Sequence, residues 1–209
     1  MVFLVAAALV APHQDHTPEN VQDTFLKTQL IGMWMSDQDV RMRWISYTKQ
    51  GKEAPKAVIR EMIQVDKKNL AQLKEIVAEH GWPTISMVGP EAASDAFDLV
   101  QHGGSDKPFM RKCLSLMKPL LAKGEVSKQS YAMLYDRTSL EQGKKQLYGS
   151  QVKFVNGEWV LEPCEDTAHL AQRRKAMGMM PIKEYLKFIQ DVYGSHDPFH
   201  RDEKTGHGG

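Results

Sequence analysis

The residue types best suited to chemistry occur in a short stretch, DLVQHGGSD at 98–106, where a Gln-His pair precedes two glycines. His102 is the central residue, because an imidazole titrates near neutral pH and can donate or accept a proton during catalysis. A structural interpretation is also open. A helix is expected to end at the glycines, and an imidazolium near a helix C-terminus is stabilised by about 0.3–1 kcal/mol.

A second candidate is Asp66, which interrupts an apolar stripe between Ile63 and Leu70. A carboxylate at such a position needs either solvent or a partner, because an unpaired buried charge is costly. Arg41 and Arg137 are the candidate partners, since a guanidinium pairs bidentately with a carboxylate. A structural ion pair between two helices is the alternative to a functional one.

The sequence predicts a catalytic group in which Asp136 or Asp66 orients His102 and Arg137 stabilises an anion. The predicted ligand-binding residues are polar side chains near helix ends, near interruptions of apolar stripes or at the start of a hairpin. They are Gln38, Arg41, Asn69, Gln101, Arg137, Gln146, Tyr148 and Gln151. Signatures of a serine nucleophile elbow, a phosphate-binding loop, a dinucleotide site or a zinc site do not occur. No metal site and no cofactor are therefore predicted.

The overall composition indicates a folded protein without a strong electrostatic preference. The chain has 209 residues, and its 42% hydrophobic content suits one domain, predicted at 20–193. Its 27 Lys and Arg residues balance 26 Asp and Glu residues, so a nucleic-acid partner is not expected. An unknown small molecule or peptide is the predicted partner.

The apolar periodicity predicts a mainly α fold, a bundle of about seven or eight helices with one β-hairpin near residues 146–162. A long apolar stripe predicts a helix that ends before Gly-Trp-Pro at 81–83, and Ser36-Asp37 suggests a break between two earlier helices. Asn156-Gly157 is a strong hairpin signal. Further helices are predicted at 91–102, 107–122, 127–140, 165–178 and 182–192.

The two ends of the chain carry separate predictions. Residues 1–18 are apolar at the start and resemble a signal peptide, which predicts export to the periplasm or the medium. If the segment is not a signal, the protein is cytoplasmic; in either case no stable membrane span is expected in the mature chain. Residues 194–209 are predicted to be disordered. Cys113 and Cys164 are either two buried thiols or one disulfide.

Many short motifs follow one another in order between about residue 35 and residue 190. They are DQxxR at 37–41, DxxN at 66–69, GWP at 81–83, VG at 88–89, VQH at 100–102, GEV at 124–126, DR at 136–137, QxYGxQ at 146–151, EPxxD at 162–166, RR at 173–174 and Pro181 to Tyr185. This pattern resembles an uncharacterised bacterial family, domain of unknown function 6624. The resemblance nominates residues without assigning roles. Cys164 departs from the isoleucine usual in that motif, which weakens its candidacy as a nucleophile.

Three functions are consistent with the sequence. The first is an enzyme, cofactor-free or using a loosely bound metal, with hydrolase-like acid–base chemistry on an amide, ester or glycan-like substrate. It predicts a concave polar pocket lined by His102, Arg137 and Gln151. The second is a non-catalytic helical module that binds a peptide or protein through Trp34, Trp44 and Trp82. The third is a purely structural envelope protein, which predicts an exposed His102 without a partner.

Overall fold

The computed structural model describes residues 21–104 and 106–193, and it is mainly α-helical with one antiparallel hairpin, as the sequence predicts. The predictions for residues 1–18 and 194–209 lie outside these residues. The described helices are α1 (Thr24–Lys49), α2 (Lys56–His80), α3 (Ile85–His102), α4 (Lys107–Met117), α5 (Lys128–Glu141), α6 (Leu170–Ala176) and α7 (Ile182–Tyr193). Short 3-10 segments occupy Lys118–Lys123 and Thr167–His169, and the strands are β1 (Val152–Val155) and β2 (Glu158–Leu161).

Helix α1 is continuous, and the predicted break near Ser36 and Asp37 is wrong. The Ser36 hydroxyl donates to the carbonyl of Met33 within the helix, instead of capping a new helix. The Asp37 side chain is fully buried and turns into the protein. Asp23 provides the N-cap of α1 by accepting a hydrogen bond from the Leu26 amide. Ser36 and Asp37 therefore form contacts that the local sequence does not reveal.

Helix α2 ends at His80 as predicted, while α3 begins earlier than predicted. Thr84 caps α3, and the first turn runs up to a kink at Gly89, whose φ of 84° is accessible chiefly to glycine. Pro90 follows the kink and starts the second part of the helix. The loop predicted at 81–90 therefore contains one helical turn, and α3 delivers His102 at its last residue.

Two apolar cores hold the elements together. The larger core lies among α1 to α5 and contains Leu30, Leu73, Phe97 and other residues that are nearly inaccessible to solvent. The smaller core packs the hairpin against α7. None of the described helices has both the length and the apolar composition needed to span a bilayer.

The hairpin forms at the predicted turn, with φ of 52° at Asn156 and 90° at Gly157. These positive values suit a type I′ turn, which matches the twist of the paired strands. Before the hairpin, Gln146 forms an isolated bridge with Cys164. Cys164 is half-buried and Cys113 is buried, and both are free thiols in this structure.

The loop between α5 and the hairpin is held by the buried carboxylate of Asp136. Its oxygens accept hydrogen bonds from the backbone amides of Leu147 at 2.7 Å, Tyr148 at 2.9 Å and Ser150 at 2.9 Å. Burial raises the pKa of Asp136, and the backbone N–H groups oppose that shift. This carboxylate fixes the loop conformation because it accepts hydrogen bonds from loop amides that have no helix or strand partner.

Arg174 holds the opposite side of the same loop. Its Nη1 donates to the carbonyls of Tyr148 at 2.8 Å and Gly149 at 2.9 Å, and the Tyr185 hydroxyl donates to the Ser150 carbonyl at 2.6 Å. Gly149 adopts a φ of 65° and packs against Leu170. The loop therefore has donors to its carbonyls and an acceptor for its amides.

Substitution Asp136→Asn is expected to lower the free energy of unfolding by about 3–5 kcal/mol, since the amide group presents a donor to the backbone N–H groups. Urea unfolding followed by circular dichroism measures this loss. Asp191→Asn is the matched control, because Asp191 forms only an exposed pair with Lys187 and its loss should cost below about 1 kcal/mol. Equal small losses in both variants would show that Asp136 does not hold the loop.

Candidate functional site

The candidate site centres on a hydrogen bond between His102 at the end of α3 and Asp37 in the middle of α1. His102 Nδ1 lies 2.7 Å from Asp37 Oδ2, and the two side chains are 3% and 0% exposed. Gln38 Nε2 donates to the same carboxylate oxygen at 3.0 Å. The carboxylate that contacts His102 is therefore Asp37, and not Asp136 or Asp66 as the sequence predicts.

The position of Arg41 decides which ring nitrogen carries the proton. Arg41 Nε lies 2.9 Å from His102 Nδ1 and 3.1 Å from each oxygen of Asp37. If Nδ1 accepted from Arg41, its lone pair would face a carboxylate lone pair at 2.7 Å. The arrangement is favourable when Nδ1–H donates to Asp37 and Arg41 Nε–H donates to the carboxylate. This tautomer leaves Nε2 as the basic nitrogen.

The electrostatics of the pair favour a neutral imidazole beside an ionised carboxylate. Burial and, to a smaller extent, the charge of Arg41 lower the pKa of His102 to about 4, although the hydrogen bond and the charge of Asp37 oppose both effects. Burial alone would raise the pKa of Asp37, but hydrogen bonds from His102 and Arg41 outweigh it and lower the pKa. No described residue forms a hydrogen bond with His102 Nε2.

Asp66 brings α2 to the site through Arg41, one of the two candidate partners that the sequence offers. Arg41 Nη2 donates to Asp66 Oδ1 at 2.5 Å, and Arg41 Nη1 lies 3.5 Å from Met62 Sδ. Burial raises the pKa of Asp66 to about 6, because the charge of Arg41 only partly offsets it and that of Asp37 adds to it. Asp66 is 23% and Arg41 17% exposed, so this side of the site is open to solvent.

Sequence reasoning missed two further buried carboxyl groups on α3. Asp98 accepts a hydrogen bond from Trp34 Nε1 at 3.2 Å, while its Oδ1 is buried and has no hydrogen-bond partner among the described residues. Burial raises the pKa of Asp98 to about 7 and that of Asp95 to about 8. The i, i+3, i+7 spacing of Asp95, Asp98 and His102 places them on one helical face, a signal that the sequence already contains.

Arg137 on α5 contributes a second buried cation near His102. Its Nη1 is 3.4 Å from Gln101 Oε1, and a Cβ added to Gly104 would collide with its guanidinium. Burial lowers the pKa of Arg137 to about 10, so its guanidinium is charged at neutral pH. Its charge also lowers the pKa of His102.

Four other predicted residues have contacts that hold the backbone or the loop. Asn69 Nδ2 donates to the Met33 carbonyl at 3.1 Å. Gln146 Nε2 donates to the carbonyls of Gln151 and Glu162, and Gln146 Oε1 accepts from the Gln151 amide.

The remaining two predicted residues are also engaged within the fold. The Gln151 side chain is buried and donates to Ser150 Oγ, and the Tyr148 ring packs edge-on against Tyr135. Like Asp136, these residues are not among the hydrogen-bond partners of His102.

The arrangement provides a base, a carboxyl group that titrates near pH 6 and a cation within one set of contacts. Such groups can move protons and stabilise a developing negative charge. In the described residues, no group of three or more His, Cys, Asp and Glu side chains is placed to hold a metal ion.

Substitution Asp98→Asn is expected to remove a loss in the free energy of unfolding that occurs as the pH rises. Between about pH 4 and about pH 7 the folded protein holds a proton on Asp98 that the unfolded chain releases, so stability falls as the pH rises through this window. Asparagine still accepts from Trp34 and does not ionise. The variant should therefore gain on the order of 2–4 kcal/mol over the wild type at pH 8.

Urea unfolding at pH 5 and pH 8 measures this difference. Asp39→Asn is the control, because the Asp39 side chain is 72% exposed. An unchanged pH slope in Asp98→Asn would contradict a protonated Asp98 in the folded protein.

Comparison with known proteins gives one match. Residues 24–197 match a family described as a family of unknown function, DUF6624. No curated protein and no solved structure is detectably similar to the chain.

Proposed function

We propose that this chain, which belongs to the family of unknown function DUF6624, is a hydrolase-like enzyme whose acid–base group is His102. The observation that supports the proposal most directly is the buried hydrogen bond from His102 Nδ1 to Asp37 at 2.7 Å. A carboxylate in this position fixes the tautomer and orientation of an imidazole and stabilises the imidazolium that forms during proton transfer. The proposed substrate is an amide, an ester or a glycan-like molecule.

In the proposed reaction His102 Nε2 accepts a proton from water as the water oxygen attacks the substrate carbonyl or acetal carbon. The water O–H bond breaks, a bond from that oxygen to carbon forms and the imidazole becomes an imidazolium. The imidazolium and the Asp37 carboxylate then form a hydrogen-bonded ion pair. Such a pair is favourable inside a site with little solvent. The bond to the leaving group then breaks as that group takes a proton from Asp66, and loss of the imidazolium proton to solvent, with reprotonation of Asp66, restores the starting state.

Arg41 and Asp66 suit the two remaining tasks. Among the described residues, Arg41 Nη1 donates to the weak acceptor Met62 Sδ, so a substrate oxygen could replace that contact and receive a charged hydrogen bond. Asp66 is partly protonated near pH 6 and open to solvent, which suits a general acid that gives its proton to the leaving group. The charge of Arg137 adds positive potential at His102.

The alternative of a peptide-binding module finds less support in the packing. Trp82 is buried in the larger core, Trp34 donates to Asp98, and Trp44 packs against the smaller core. Their indole rings are therefore engaged within the fold. A purely structural protein with an exposed His102 is also disfavoured, because that imidazole is 3% exposed and bonded to Asp37.

Substitution His102→Asn is expected to lower kcat/KM for a hydrolysed probe by at least about a hundredfold, while the fold is kept. The asparagine amide can still donate to Asp37, but it lacks the basic Nε2. The assay uses 4-nitrophenyl acetate and alanine 4-nitroanilide, with the released 4-nitrophenol or 4-nitroaniline separated from the substrate by liquid chromatography and measured. His80→Gln controls for hydrolysis by a surface histidine. Equal activity in all three proteins would refute acid–base chemistry at His102.

The pH profile of kcat/KM should be bell-shaped. Activity rises with pH through about 4, where His102 becomes neutral, and falls through about 6, where Asp66 loses its proton. Asp66→Asn should remove the alkaline limb and lower the maximum. A profile that is flat between pH 4 and pH 7, or an alkaline limb that persists in Asp66→Asn, would contradict these assignments.

A further inference from the structure

The face of α2 that carries Asp66 continues beyond the end of α3. Ile59, Ile63, Asp66 and Leu70 share this face by their i, i+4, i+7, i+11 spacing. Leu70 packs over Gly103, where α3 has just ended: a Cβ on Gly103 would lie 2.8 Å from Leu70 Cδ1. Ile59 and Ile63, which precede Leu70 in α2, therefore lie beyond the last turn of α3.

This extension leaves an apolar surface beside the candidate site. Ile63 is 55% and Ile59 is 36% exposed. We call Ile59, Met62 and Ile63 the apolar shelf. Single exposed apolar residues are common on protein surfaces, so exposure alone would carry no argument. The shelf differs because its members are contiguous on one helical face and end at the polar groups of the site.

The contact between the shelf and the site is direct. Met62 Sδ lies 3.5 Å from Arg41 Nη1, and Arg41 Nη2 binds Asp66, one turn of α2 further on. From Asp66 to Ile59 the helix advances ~10 Å along its axis. A ligand whose polar group lies at Arg41 and Asp66 would therefore place an attached chain of that length along the shelf.

We propose that the apolar shelf is a subsite for the apolar chain of the substrate. This inference rests on the proposed function and makes it more specific: the substrate is an ester or amide with a medium-length alkyl or aryl chain next to its carbonyl group. The polar end binds at Arg41, Asp66 and His102, while the chain covers Ile63 and Ile59. Each methylene that leaves water should improve binding roughly two- to fourfold until the shelf is covered.

Binding is tested without catalysis by NMR of isoleucine methyl groups during titration with N-methylheptanamide, whose hexyl group is attached to the carbonyl carbon, and with N-methylacetamide. The hexyl compound should shift the methyl signals of Ile59 and Ile63 and bind at least about tenfold more tightly than the methyl compound. Ile63→Ser should remove most of that difference. Phe25→Ser is the matched control, since Phe25 is 80% exposed at the start of α1.

The kinetic experiment uses 4-nitrophenyl esters from acetate to octanoate with the wild type, Ile63→Ser and His102→Asn. KM should fall with chain length in the wild type and much less in Ile63→Ser. Hydrolysis that depends on His102 but not on chain length would overturn the subsite and leave the proposed function standing.

The converse result separates the two proposals. Methyl shifts with the hexyl compound, but no hydrolysis above the His102→Asn background, would support the shelf and overturn the enzyme. Concentration-dependent self-association of the wild type that Ile63→Ser abolishes, with no response to the hexyl compound, would overturn the subsite in favour of an interface between two copies.

Discussion

The structure around the site depends on one buried charge, the carboxylate of Asp37. It is fully buried, and it is kept ionised by donors from its own helix and from α3. Arg41 extends the contact to α2 through Asp66. Three helices therefore meet at one carboxylate, and removing any donor would leave a buried charge without full compensation, which is costly.

The same constraint sets the protonation states of the surrounding groups. A single guanidinium, Arg41, lies among Asp37, Asp66 and Asp98, so it cannot stabilise three carboxylates in ionised form. The pKa of Asp37 is lowered, whereas burial raises that of Asp66 to about 6 and that of Asp98 to about 7. Neighbouring carboxyl groups whose environments separate their pKa values in this way are typical of sites where one group donates a proton while another stays ionised.

Local patterns predicted the helical class, the end of α2 and the hairpin turn, because each depends on residues close in sequence. Arg41 could also be nominated as a partner of Asp66 from the sequence, because a carboxylate within an apolar stripe needs a counter-charge. The contact of His102 with Asp37 could not be predicted, because it requires knowing that α1 packs along α3. Asp136 and Gln146 show a further limit: a polar residue that binds the backbone looks, in sequence, like one that binds a ligand.

A ¹⁵N NMR titration of the His102 imidazole, in the wild type and in Asp37→Asn, measures the Asp37–His102 pair directly. We expect a neutral ring with its proton on Nδ1 at pH 7 and a pKa of about 4, well below 6.5. In Asp37→Asn the Nδ1–H preference should weaken. A pKa near 6.5 that is indifferent to the substitution, or a proton on Nε2 at pH 7, would contradict the Asp37–His102 pair as the centre of this protein.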